Sequence, residues 1–446
     1  MTFKYHCFTH FLPGLIFLIS CSNPRKAQRM DNNTITVTTA VPADTLKTDD
    51  FLDSLLKQYS LHFANILQNR KDLNVQVIYT QVNRGSNGIP NLKSHYFNVN
   101  PARYFYPAST VKLPIVLLAL QKMNELKEKG IDRNTTMLTE TSFSGQTAVY
   151  NDPTSPDGKP SIGHYIKKIL LVSDNDAYNR LYEFLGQEYI NTELHKRGYK
   201  DAQILHRLEV FLSPEENRQT NPIIFSDSSS NVLHKIPGQR SAATYVQRND
   251  SLGNAYYKGG VLMNGAMDFS KKNRLSLEDL HHILLGVIFP DKVIPESRFN
   301  ITEEDRQFVL KYMSQYPTES VYPPYSSDTV SYWPAYCKFL LFGATKEKLP
   351  GNIRIFNKPG DAYGHLIDVA YVADFKNNIE FFVSALIYCN SDGVLNDDKY
   401  DYVTVGKPFM KNLGQVIYKY ELQRTYKIKP DLTPFKFTYD TAPPIR

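Results

Sequence analysis

The sequence predicts an α+β protein whose sheet is assembled from both ends of the chain, with a long helical segment inserted between them. Three observations carry this reading. A helix-period segment followed by alternating, β-branched residues stands near residue 75. The middle of the chain repeats its apolar residues mostly at helical spacing, and toward the C-terminus the period changes to three strand-like runs and a closing helix.

From Asp50 to about Asn69, the residues Phe51, Leu55, Leu56, Tyr59, Phe63 and Ile66 recur as on one helix face. Asn74 to Val82 alternates and reads as a strand. Gly85 to Pro90 reads as a turn region, and Tyr96 to Asn100 as a second strand. Leu113, Val116, Leu117, Leu120 and Met123 mark an amphipathic helix stopping at Gly130, a suitable C-cap. Further helices are predicted at about 162–171, 176–185, 276–287 and 302–314. Ile353 to Asn357, Leu366 to Ala373 and Ile379 to Tyr388 read as strands, and Val403 to Tyr420 as the last helix. Residues 47–105 with 350–425 then form a sheet subdomain, 106–349 a helical one, and 426–446 an irregular tail. The stretch 226–274, rich in Ser, Asn, Gly and Tyr, is an elaboration without an assigned role.

The first residues describe an exported chain. Lys4 leads into the apolar run Leu12 to Ser20, too short to span a bilayer and of the length of a secretory signal over residues 1–20. Leu18-Ile19-Ser20-Cys21 resembles the lipobox of bacterial lipoproteins, which implies lipidation of Cys21; a plain signal with an incidental cysteine is the alternative. Residues 21–46 are polar and aperiodic and read as a flexible tether. The expected location is the cell envelope, lipid-anchored and facing the periplasm or the exterior. Cys337 and Cys389 then remain, either paired or as buried free thiols.

The 446 residues suffice for one large domain or two ordinary ones. A composition of 42% hydrophobic and 22% charged residues is that of a globular protein. The net charge of +6 is spread thinly, without a Lys/Arg block, so no nucleic-acid partner is expected. No compact His/Cys cluster suggests zinc, and no metal or organic cofactor is expected. The protein is expected to be a monomer.

The chemistry starts at Ser109-Thr-Val-Lys112. A serine hydroxyl needs a neighbouring base, and residues three apart share a helix face, so Lys112 can reach Ser109. Ser54-Leu-Leu-Lys57 has the same spacing inside the first helix and reads as a solvated coincidence. Ser173-Asp174-Asn175 follows an apolar helical segment and opens another helix, where such residues also serve as caps. Lys358-Pro359-Gly360 ends a strand candidate, where a plain hairpin turn is the bland alternative.

In this order the three motifs resemble the signatures of β-lactamases and penicillin-binding proteins. Glu209-Val-Phe-Leu212-Ser213, 36 positions after Ser173, is similar to the Glu-x-x-Leu-Asn element of class A β-lactamases, with Arg207 where that class has a loop-pinning arginine. The resemblance covers residues 50–420 and implies an antiparallel five-stranded sheet flanked by helices, with an all-helical subdomain inserted. It implies Ser109 as nucleophile, Lys112 as proton acceptor, Ser173 with Lys358 in proton transfer to the leaving nitrogen, and Glu209 as activator of the deacylating water. It further implies Asn175 as a substrate contact, and the Gly360-Asp361 stretch as the other, with the Ser109 and Asp361 amides as oxyanion hole.

Three departures stand out. Pro359 replaces a hydroxyl residue and lacks an N–H, Asp361 puts a carboxylate where a small neutral residue is usual, and Ser213 replaces an asparagine. Three functions follow: a β-lactamase acting through Ser109 and Glu209, a penicillin-binding peptidase acting on peptidoglycan stem peptides or another amide or ester hydrolase without need of Glu209, and a non-catalytic envelope binding protein.

Overall fold

A computed structural model describes residues 46–143 and 147–440; the signal, Cys21 and nearly all of the tether lie outside the described residues. Helices α1 (Asp50–Gln58) and α2 (Ser60–Gln68) open the chain. Asp49 caps α1 by accepting from the Leu52 N–H at 3.1 Å. One helix was expected here. The chain instead turns at Tyr59, whose ψ of 44° lets its N–H close on Leu56 O, so that Leu52, Leu55 and Leu56 and then Phe63 and Ile66 each reach the core.

Strands β1 (Gln76–Arg84) and β2 (Pro90–Phe97) form a hairpin around Gly88. The second strand lies earlier than predicted, because its outer face is polar (Asn91, Lys93) and Asn98, at φ +53°, ends it. Next come α3 (Lys112–Glu125), β3 (Thr136–Thr139), α4 (Ile162–Val172), α5 (Asn175–Leu185) and α6 (Gln187–Lys196). The inserted region is mainly helical but not wholly so. After the short α7 (Pro214–Asn217), the strands β4 (Ile223–Ser226) and β5 (Val232–Ile236) join β3 in a small sheet. The weakly periodic stretch supplies β6 (Ser251–Leu252), β7 (Ala255–Lys258), β8 (Val261–Asn264) and β9 (Met267–Asp268), hairpins of two to four residues too short to show a period. Helices α8 (Leu277–Ile288) and α9 (Glu303–Ser314) follow.

Strands β10 (Ile353–Ala362), β11 (His365–Asp374) and β12 (Ile379–Tyr388) close an antiparallel five-stranded sheet of order β10-β11-β12-β1-β2, the sheet built from both chain ends. The two-residue β13 (Val394–Leu395) pairs with β7. The last helix, α10 (Lys407–Gln423), begins later than expected because Pro408 sits in its first turn, preceded by one π-helical turn at Tyr402–Gly406. Both faces of the sheet are covered. Val77, Tyr79, Phe381 and Val383 pack with α1, α2 and α10, whereas Ile78, Phe382 and Leu386 pack with the inserted helices, which explains why β12 is apolar on both faces apart from Glu380 and Ser384. The tail packs Leu432 and Phe435 into the core, the Phe435 ring lying 5.0 Å from that of Tyr371. Cys337 and Cys389 are buried free thiols.

One correction bears on the site. Lys358-Pro359-Gly360 is neither a turn nor a strand end but lies inside β10, and the turn comes at Tyr363-Gly364, both with positive φ. Proline is accommodated because β10 is an edge strand, where a missing N–H breaks no ladder. Behind it lies a buried polar network. Lys338 donates to Asn357 Oδ1 (2.7 Å), Met313 O (2.6 Å) and Ile355 O (3.0 Å), and Asn357 donates to Asp368 Oδ1 (2.8 Å), opposite Pro359 in the ladder. Replacing Asn357 by alanine strips a partner from both charged groups and is expected to lower the unfolding free energy by about 3 kcal/mol in chemical denaturation.

Candidate active site

Tyr106-Pro107 leads into a 3-10 turn, Ala108–Val111, that carries Ser109 and runs directly into α3. Ala108 has φ +47°, a region that residues with a Cβ rarely adopt. Lys112, on the first residue of α3, is fully buried. Its Nζ donates to Ser109 Oγ at 3.0 Å, Asn175 Oδ1 at 2.6 Å and Ser173 Oγ at 3.2 Å, and also to Ser173 O. Burial, and after it the nearby Lys358 charge, hold the Lys112 pKa well below the ordinary lysine range.

Ser173 ends α4 with φ +63°, and Asp174 caps α5 by accepting from Ala177 N at 2.7 Å. The cap reading therefore holds for Asp174, while Ser173 and Asn175 on either side turn to Lys112. From β10 the Lys358 amine donates to Ser173 Oγ at 2.8 Å and to Pro359 O at 2.8 Å. Burial lowers its pKa to about 8. Two lysines thus meet one serine hydroxyl. Cys337 lies in the field of both, its thiol pushed up by burial.

Gly360 owes its identity to close approach. A Cβ there would stand 2.7 Å from Ser109 N and 2.9 Å from Thr110 N, so no side chain fits between β10 and the serine turn. Asp361 follows with its outer edge meeting solvent. Desolvation raises its carboxyl pKa, and the charges of Lys407, Lys358 and Lys112 oppose the rise.

Glu209 is exposed at φ +53°, in a loop held from behind. Arg207 is buried against Glu183 at 2.7 Å, over the Tyr182 ring, and donates to Gln219 O at 2.5 Å. Asn179 makes reciprocal bonds of 2.9 Å with the Leu208 main chain. The Glu209 charge is felt at Lys112, but its carboxylate has no hydrogen-bond partner among the described residues. Ser213 caps α7, accepting from Glu216 N at 3.2 Å in a capping box. Ser54 and Lys57 are both exposed, and Lys57 pairs with Asp53 instead.

The predicted residues Ser109, Lys112, Ser173, Asn175 and Lys358 therefore share one hydrogen-bonded cluster, with Gly360 and Asp361 beside it and Glu209 on a neighbouring loop. Sequence reading missed the left-handed backbone at Ala108, Ser173 and Glu209, where no glycine or asparagine signals it. It also missed Asn179, whose four-residue spacing from Asn175 was visible. Such an arrangement can deprotonate a serine and pass the proton onward.

The chain belongs to the beta-lactamase enzyme family, whose model (Beta-lactamase2) matches residues 62–420. Among solved structures it is similar to a β-lactamase from Xanthomonas campestris at 12% identity, covering 81% of this chain and 98% of that one with a TM-score of 0.43. A halotolerant bacterial β-lactamase gives 14%, 81%, 99% and 0.45. A mutant of PBP-A in an acyl-enzyme complex with penicillin G gives 16%, 82%, 97% and 0.43. No curated protein matches.

Gly360→Ala is expected to force Ser109 N aside and cut the acylation rate about 100-fold or more, read with a chromogenic ester or β-lactam, while the protein stays folded by circular dichroism.

Proposed function

We propose that this protein is a serine hydrolase of β-lactamase type that forms an acyl-enzyme on Ser109 and releases it with water activated by Glu209. The observation that carries the reading is the buried Lys112 amine 3.0 Å from Ser109 Oγ. In its neutral form the amine's two hydrogens satisfy Asn175 Oδ1 and Ser173 O, leaving the lone pair toward the Ser109 hydroxyl. Ser109 Oγ attacks the lactam carbonyl as Lys112 takes its proton. The lactam C–N bond then breaks, and the proton reaches the leaving nitrogen through Ser173, whose hydroxyl the Lys358 ammonium polarises at 2.8 Å. The resemblance assigns the oxyanion to the amides of Ser109 and Asp361.

A second reading, a penicillin-binding peptidase, draws support from the exposed, unpartnered carboxylate of Glu209 and from Pro359 and Asp361. A mass time course with benzylpenicillin separates the two. A β-lactamase gives a brief adduct and accumulating penicilloate, and Glu209→Gln traps the adduct by slowing its loss about 10²–10⁴-fold. An adduct equally stable in both proteins supports the peptidase. Absence of any adduct with several β-lactam classes removes both readings.

The lysine pair sets a pH signature. A lysine with pKa about 8 is charged below that pH and neutral above it, so Lys358 loses its polarising charge as pH rises through about 8. Acylation rates measured across pH are expected to fall there, and a rate still climbing into the ordinary lysine range contradicts this role.

A further inference from the structure

Behind the Glu209 loop lies a half-open cavity of about 1040 Å³, at the upper end of sites that hold drug-sized ligands. One wall is the loop itself, through Val210, Leu212 and Pro214; the other is the segment 240–248 with residues 268 and 270–272. None of Ser109, Lys112, Ser173, Asn175, Glu209 and Lys358 lines it. It is a second chamber, joined to the catalytic cluster through the loop and through the contacts of His206 with Tyr106 and of Lys272 with Tyr363.

Its charges are unbalanced. Arg218, Arg240, Arg248, Lys271 and Lys272 face Glu215 and Asp268. Three of the cations are engaged. Arg248 pairs with Asp250 at 2.7 Å, Arg240 with Glu215 at 2.9 Å, and Arg218 donates to Ala243 O at 2.8 Å while lying over the Tyr245 ring. The side-chain amines of Lys271 and Lys272 have neither a hydrogen bond nor an ion pair among the described residues. The half-buried Lys272 has only the Tyr363 ring, 6.0 Å from its amine. Beside it His206 bonds Arg207 O through Nδ1 at 2.5 Å, while its Nε2 is enclosed and unpartnered. Burial first, and the Lys272 charge second, push the His206 pKa down to about 3.

A desolvated ammonium without an anion and a buried ring nitrogen without a partner are each costly in isolation. With the Nδ1 proton given to Arg207 O, Nε2 carries a lone pair that accepts from a hydroxyl, while the half-buried Lys272 ammonium calls for an anion, so the corner suits a ligand that bears both a hydroxyl and an anionic group. The remaining lining includes Thr244 and Gln247, a hydroxyl and an amide suited to a hydroxylated ligand rather than a greasy one, while the Gln203 amide is spent on Val246 O (3.0 Å) and Arg248 Nε (2.9 Å).

We propose that this cavity is a second binding site, taking an acidic saccharide whose carboxylate meets Lys271 and Lys272 and whose hydroxyls meet Thr244, Gln247 and His206 Nε2. The site does not depend on acylation at Ser109. Its occupant touches Val210 and Leu212, the neighbours of Glu209 on the loop.

Calorimetric titration of the full chain with digalacturonate, cellobiose and inorganic phosphate tests this. Digalacturonate is expected to bind, K271A/K272A to weaken it about tenfold or more, and K271R/K272R to retain it. Ser109→Ala is expected to bind as the parent does, which separates this site from the catalytic one. Because neither amine hydrogen-bonds or ion-pairs with the described residues and Lys272 meets only the Tyr363 ring, the alanine pair is expected to keep the parent's melting temperature to within a few degrees. Unchanged affinity in K271A/K272A, equal binding of cellobiose or of phosphate, loss of binding in Ser109→Ala, or no binding at millimolar digalacturonate would each overturn the proposal.

Discussion

The buried amine of Lys112 is the interaction on which the rest of the site depends. An ammonium out of water is costly unless it is paired, and no carboxylate among the described residues hydrogen-bonds to this one. Its partners are instead neutral oxygens drawn from separate elements: Ser109 from its own turn, Ser173 from the end of α4 and Asn175 from the start of α5. Lys358, donating to the same Ser173 hydroxyl, adds a like charge that depresses Lys112 further. Burial and a repelling cation thus act together on one amine, and both disfavour its charged form.

Helix α5 carries this arrangement outward. Asn175, Asn179 and Glu183 follow one another at four-residue intervals and so share a face. Asn175 accepts from Lys112, Asn179 clasps Leu208 beside Glu209, and Glu183 holds Arg207. One helical face therefore meets both the Lys112 amine and the loop that carries Glu209. The opposite wall is the edge strand β10, packed so closely on the serine turn that only glycine fits at 360. Left-handed φ values at Ala108, Ser173 and Glu209 stand at three of these joints, and such backbone persists only where the surrounding structure holds it.

Much of this was legible in the sequence, for identifiable reasons. The helices over 162–172, 175–185, 277–288 and 303–314 have strong apolar periods and capping residues at their starts (Ser161, Asp174, Ser276 and Thr302), and their predicted bounds are nearly those observed. Ser109, Lys112, Ser173, Asn175 and Lys358 were named from spacing and order, and the fold brings them together. Failures fell where tertiary context overrides local signals. Pro359-Gly360 reads as a turn until the strand proves to be an edge, and β6 to β9 are too short to carry a period. α6 was missed because Ile190 and Leu194 are the only apolar residues it buries. Nothing in the sequence marks Ala108 or Glu209 as left-handed, since neither is a residue that favours it.

The measurement that bears most directly on this account is the protonation state of Lys112 itself. Lysine side-chain nitrogen NMR on the folded protein, assigned against Lys112→Arg, reads it without reference to substrate. The expected result is an amine that titrates well below ordinary lysines. An ammonium signal that persists into the ordinary lysine range would contradict Lys112 as the base that activates Ser109.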